Sequence, residues 1–138
     1  MTDTGMRKRT ARCGCGALNV EARGEPAHVY VCSCVVCRQI SGSAFTYAAI
    51  FPESAVTIAG EARGWPHRGE SGRLTEHHFC PICGSTLYFR NEALPGLIGV
   101  SAGCFPETDF PAPKTAYWSS RGHDWVAMPE DVKIVDTQ

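Results

Sequence analysis

The sequence predicts a mainly β domain of short strands, and three observations carry that reading. Glycine (14) and proline (9) are spread along all 138 residues, so the chain is punctuated into short segments. Between these breaks, apolar and polar residues alternate over runs of about four to eight positions, the period of a half-buried strand. No segment sustains the roughly 3.6-residue period of a long amphipathic helix.

The elements follow in chain order. The polar run up to Ala11 has no strand pattern, and residues 1–8 are expected to form a flexible tail ahead of one domain over 9–138. Ala17 to Arg23 alternates as a strand, and Gly24-Glu-Pro26 breaks it. His28 to Cys32 is a second strand. Val35 to Ile40 fits a helical turn, stopped by Ser41-Gly42. Ala44 to Phe51 is a strand ended by Pro52, and Ala55 to Ala59 another closed by Gly60. Gly64 to Gly72, carrying Arg68 and Glu70 and followed by Arg73, reads as a glycine-rich loop, either a solvated turn or a cover over a substrate. Leu74 to Phe79 leads into Cys80-Pro-Ile-Cys-Gly84, and Ser85 to Phe89 leads out: strand, knuckle, strand. Leu97 to Ala102 reads as a buried strand, with weaker strands at Ala116 to Ser120 and Val132 to Val135. The sum is about eight or nine strands with little helix.

Composition narrows the function. A net charge of −1 gives no pull toward nucleic acid or anionic membranes. No apolar run approaches the ~20 residues of a membrane span. The basic residues near the N-terminus have no apolar segment behind them, unlike a secretory signal. A cytoplasmic location is therefore expected, where thiols stay reduced. Eight cysteines in such a compartment need a role other than disulfides.

Seven of the eight fall into tight groups: Cys13-x-Cys15, Cys32-x-Cys34-x-x-Cys37 and Cys80-x-x-Cys83. Closely spaced cysteines turn both sulfurs toward one point when the backbone makes a tight knuckle, as a tetrahedral zinc requires. Pro81 and Gly84 suit such a knuckle, and Gly14 and Gly16 punctuate the first pair likewise. Two pairs make a closed Cys₄ site, the structural kind: Cys13, Cys15, Cys80 and Cys83. The triplet Cys32, Cys34 and Cys37 offers three ligands and an open position, the catalytic kind. Rival readings are a single zinc with spare thiols, strained disulfides, or a redox C-x-x-C without its usual βαβ setting. Cys104, alone in Ala102-Gly-Cys-Phe-Pro106, reads as a small buried apolar residue; as a ligand it would close the triplet site.

Cys13-x-Cys15-Gly-Ala17, Cys32-x-Cys34-x-x-Cys37-Arg38, Ser41-Gly42 and Phe79-Cys80-x-x-Cys83-Gly84-Ser85-x-Leu87 together resemble the glutathione-dependent formaldehyde-activating (GFA), or centromere-protein-V, family. The resemblance runs from about residue 9 to Trp125. It implies one zinc-stapled, Mss4-like or β-tent domain of short antiparallel strands with two Zn²⁺ per chain. It assigns Cys13, Cys15, Cys80 and Cys83 to the structural zinc and Cys32, Cys34 and Cys37 to a substrate-side zinc. The implied activity is that of a carbon–sulfur lyase, adding the thiol of glutathione to formaldehyde to give S-hydroxymethylglutathione. Two positions depart from the family pattern. Ser33 stands where relatives often have Cys-His-Cys, and Ala116 where many have a histidine.

Arg38, directly after Cys37, is a candidate to offset the thiolate charge or to hold a carboxylate of glutathione. His77 and His78 precede the knuckle and are assigned structural or surface roles, and Trp65, Trp118 and Trp125 core or pocket-wall roles. Small-molecule thiol and aldehyde substrates are the expected partners. The rival function is a non-catalytic, zinc-stabilised protein-binding module.

Overall fold

The computed structural model describes residues 6–69 and 71–137. The strands are β1 (Lys8–Arg12), β2 (Asn19–Arg23), β3 (His28–Cys32), β4 (Thr46–Pro52), β5 (Val56–Ala59), β6 (Arg63–Arg68), β7 (Leu74–Phe79), β8 (Thr86–Asn91), β9 (Leu97–Ser101), β10 (Thr115–Tyr117) and β11 (Lys133–Val135), with one helix, α1 (Val35–Ser41). They form a three-stranded sheet, β1-β2-β5, and an eight-stranded sheet, β11-β10-β3-β4-β9-β8-β7-β6. The fold is mainly β, as punctuation and alternation predict.

The pleat of β4 explains how the layers are held. Ala49 and Phe51 face a core shared with Leu18, Val20 and Ala22 of the small-sheet side. Ala48 and Ile50 point the other way, into a cluster with Tyr30, Cys32 and Phe89. Both faces of this strand are buried, so it reads as a continuous apolar run. Phe51 is fully buried, which contributes about 2–3 kcal/mol.

Three features differ from the sequence reading. The polar run up to Ala11 predicts no strand, yet Lys8–Arg12 form β1, paired antiparallel with β2 from Lys8↔Arg23 to Arg12↔Asn19. Residues 1–5 of the expected tail lie outside the described residues. The strand was hidden because an inward position carries Arg9, only 3% exposed. Its guanidinium lies 3.2 Å from Glu25 Oε2 and 5.0 Å from the Phe110 ring centroid. Second, most of the expected Gly64-to-Gly72 loop is strand β6, antiparallel to β7. The real turn is short: Gly72 N–H donates to the Gly69 carbonyl at 2.9 Å, with Gly72 at φ +81°. Glycine, proline and arginine in β6 masked its alternation. Third, the strands are not all antiparallel: β10 runs parallel to both β3 and β11. Strands of three residues carry too little pattern to show direction.

Candidate metal centres and active site

The two knuckles fold as their glycines dictate. Gly16 N–H donates to the Cys13 carbonyl (3.1 Å) and Gly84 N–H to the Cys80 carbonyl (2.8 Å). Both glycines hold positive φ, +82° and +83°, a region that penalises a Cβ. The turns aim amides at sulfur: Leu18 N–H donates to Cys13 Sγ at 3.2 Å, and Ile82 N–H to Cys80 Sγ at 3.4 Å. Ser85 ties the knuckles together, accepting from Gly14 N–H at 3.0 Å and touching Cys83 Sγ at 3.3 Å. Its hydroxyl holds the Cys83 thiol down to about 5.

The four sulfurs of Cys13, Cys15, Cys80 and Cys83 all lie within 4.8 Å of one another. The Cys13–Cys15 and Cys15–Cys80 separations are both 3.7 Å. A tetrahedron with Zn–S of about 2.3 Å has an edge of about 3.8 Å, so this donor set fits zinc. None of the eight cysteines forms a disulfide.

The triplet is built by the entry into α1. Cys32 ends β3 and is fully buried. Cys34 is the N-cap, its sulfur accepting from Cys37 N–H at 3.4 Å. That cap bond brings Cys34 and Cys37 together. Gly42, left-handed at φ 61°, closes the helix where Ser41-Gly42 predicts. The three sulfurs lie within 4.8 Å of one another, and among the described residues no fourth His, Cys, Asp or Glu joins them. The Cys32 sulfur and then burial push the Cys37 thiol far up. Burial above all raises Cys34. Burial and the neighbouring sulfurs thus oppose ionisation of Cys34 and Cys37, and a soft-ligand dication answers that electrostatic demand.

The remaining sequence candidates lie around this frame. Arg38 Nε donates to the Ser33 carbonyl at 3.1 Å, bracing the loop between Cys32 and Cys34. Ser33 is buried and its N–H donates to the Tyr117 carbonyl at 3.0 Å. Ala116 is buried in β10 opposite Val31, beside the Tyr117↔Cys32 pair. Cys104 stands apart from the triplet. It packs against the core that contains Cys13 and Cys80, its thiol 3.8 Å from the Thr86 carbonyl.

A cleft enclosing about 700 Å³, its open mouth included, adjoins the triplet. Its lining includes Cys34, Cys37 and Trp118 together with His67, Arg73 and His77. Trp118 holds a left-handed backbone at φ 55°, unusual for a bulky residue. The pairings Trp65↔His77, His67↔Thr75 and His77↔Phe89 place alternate residues of β6, β7 and β8 on one face. Their rings run in a row: Trp65–His67 at 4.7 Å, His67–His77 at 4.9 Å and His77–Phe89 at 5.4 Å. Burial, then the neighbouring His67 and His78, push His77 down to about 4, so it is neutral at pH 7. Sequence reasoning gave His77 a structural or surface role and did not single out His67. The available signal is the same-face spacing Trp65-x-His67 and Thr75-x-His77, which the glycines and proline of this stretch conceal. The side chain His78, on the opposite face, stacks on Tyr88 at 4.5 Å.

Residues 8–121 match the family described as glutathione-dependent formaldehyde-activating enzyme. The chain belongs to that family. The match takes in both cysteine sets, the β6–β8 wall and Trp118 of this GFA-family protein. The fold is shared with the crystal structure of a Rhodobacter sphaeroides protein, a structural genomics target. The TM-score is 0.55 at 22% identity, covering 72% of this chain and 90% of that one. Among the described residues, no helix is long and apolar enough to cross a membrane.

Proposed function

We propose that this protein is a zinc-dependent carbon–sulfur lyase that reversibly adds the thiol of glutathione to formaldehyde. The observation that carries the reading is a three-sulfur set, Cys32, Cys34 and Cys37, with no fourth protein donor among the described residues and two of its sulfurs lining a cleft. In this reading each chain carries two Zn²⁺, a structural one at Cys13, Cys15, Cys80 and Cys83 and a substrate-side one at the triplet. Zinc held at the triplet favours the ionised form of a thiol at neutral pH.

The chain's own residues supply the remainder. The α1 cap fixes two ligand sulfurs at the cleft, and Arg38 braces the loop between Cys32 and Cys34 while offsetting its charge. Arg73, which lines the cleft, offers a fork to a carboxylate of glutathione. In the forward direction a sulfur–carbon bond forms, the carbonyl π pair moves to oxygen, and the proton lost by the thiol ends on that oxygen. The reverse reaction returns both reactants. Confinement of the two reactants in one cleft makes their encounter effectively unimolecular.

The test is exchange NMR on glutathione and formaldehyde with the zinc-loaded protein. Accelerated exchange, lost together with one of two zincs in Cys37→Ser, is the expected result. An uncatalysed rate from a two-zinc protein sinks the reading in favour of a non-catalytic module.

A further inference from the structure

We propose that His77, supported by His67, carries the proton in this reaction: it accepts the proton that the thiol releases and returns it to the oxygen of the adduct. The inference rests on the lyase reading above and deepens it by naming the acid–base residue.

Three observations converge on it. First, both imidazoles line the same cleft as Cys34 and Cys37. The described residues lining that cleft include no carboxylate, so apart from the thiols the imidazoles are the side chains there able to accept a proton and return it. Second, His77 Nδ1 and His67 Nε2 are shielded from solvent and have no hydrogen-bond partner. An unpaired buried polar atom costs about 1–3 kcal/mol and calls for a purpose. Third, the rings are held in place. His67 and His77 stack at 4.9 Å with planes 14° apart, between Trp65 and Phe89. Phe89 in turn belongs to the cluster that contains Cys32 and against which Cys34 and Cys37 pack. Phe89 thus touches both the His77 ring and the cluster that holds the thiols.

The step balances without a further reagent. The S–H bond breaks and its proton passes to a ring nitrogen of neutral His77. The sulfur pair forms the S–C bond, the carbonyl π pair becomes an oxygen lone pair, and that oxygen takes the proton back. Imidazole ends as it began. In reverse, His77 removes the hydroxyl proton and returns it to sulfur as the S–C bond breaks. His67 is a positioning residue, fixing the plane of the His77 ring.

The experiment is exchange NMR on zinc-loaded wild type, H77Q and H78Q. Glutamine keeps hydrogen-bonding capacity but does not carry a proton. H77Q is expected to lose about 10²-fold in kcat, with KM for glutathione within about twofold and both zincs retained. H78Q, altered on the opposite face of β7, is expected within about threefold of wild type. An H77Q kcat within about threefold of wild type overturns the inference while the lyase reading stands. A wild type that does not accelerate exchange overturns both. If H77Q does not fold, the ¹⁵N resonances of the His77 ring in the wild type decide. A shift on adding glutathione with formaldehyde upholds the inference, and unmoved resonances overturn it.

Discussion

Cys15 Sγ and Cys80 Sγ stand 3.7 Å apart although 65 positions separate them in the chain. Cys15 belongs to the turn between β1 and β2, and Cys80 to the knuckle between β7 and β8, so a metal between them clamps one sheet to the other. Structural zinc contributes on the order of 10 kcal/mol, comparable to a whole domain's stability. Cys80→Ser is therefore expected to lose one zinc per chain and its cooperative melting transition. A chelator should bring the wild type to the same state. Circular dichroism with zinc assay checks both, and a chelated protein that melts at the original temperature would refute the clamp.

Gly99 lies under the Phe89 ring, and a Cβ built at Gly99 would run into that ring. Phe89 links His77 to the thiol cluster, so Gly99→Ala should displace the cleft wall as well as strain the core. Overpacking of this kind costs about 1–3 kcal/mol. Denaturant melts should show that loss, and the cleft chemistry should fall further than in an equally destabilised variant remote from Phe89.

Arg9 and Glu25 form an asymmetric pair, with side chains 3% and 63% exposed. Arg9→Ala removes buried stem contacts and the guanidinium over Phe110, at a cost of about 2–3 kcal/mol. Glu25→Gln leaves that packing intact, and the loss should stay under about 1 kcal/mol. Equal losses in urea titrations would show that the ion pair, and not the packing, governs.

His77 also sets a pH dependence. Its folded value of about 4 lies below the ordinary 6.5, so between those values the unfolded chain binds the proton and the folded chain does not. Stability should rise with pH from about 4 to 6.5 and then level off, this group accounting for about 3 kcal/mol across the window. Thiol ligands also protonate in acid, so the informative quantity is the difference between wild type and His77→Phe. A shallower slope in the variant is expected; parallel pH curves would contradict it.

The features legible in the sequence were those whose causes are local. Gly16 and Gly84 sit within their own knuckles, and Cys34 reaches the amide of Cys37 three residues on. The features that escaped depend on distant partners. Arg9 occupies an inward strand position because Phe110 and Glu25 receive it there. The His67–His77 stack exists only once β6 pairs with β7. Cys104 could be placed only when the fold brought Thr86 to it and left the triplet elsewhere.

Strand β6 ends the eight-stranded sheet, and it carries Trp65 and His67. One wall of the cleft is thus a boundary strand, hydrogen-bonded to β7 alone within its sheet. Such a strand can breathe outward without unzipping a neighbour on its far side, so the cleft can open along this edge with both cysteine sets left in place. The same open edge invites foreign strands, and here Pro66 withholds an amide while Arg63 and Arg68 add charge. The entrance is guarded against aggregation by the same residues that disguised it as a loop.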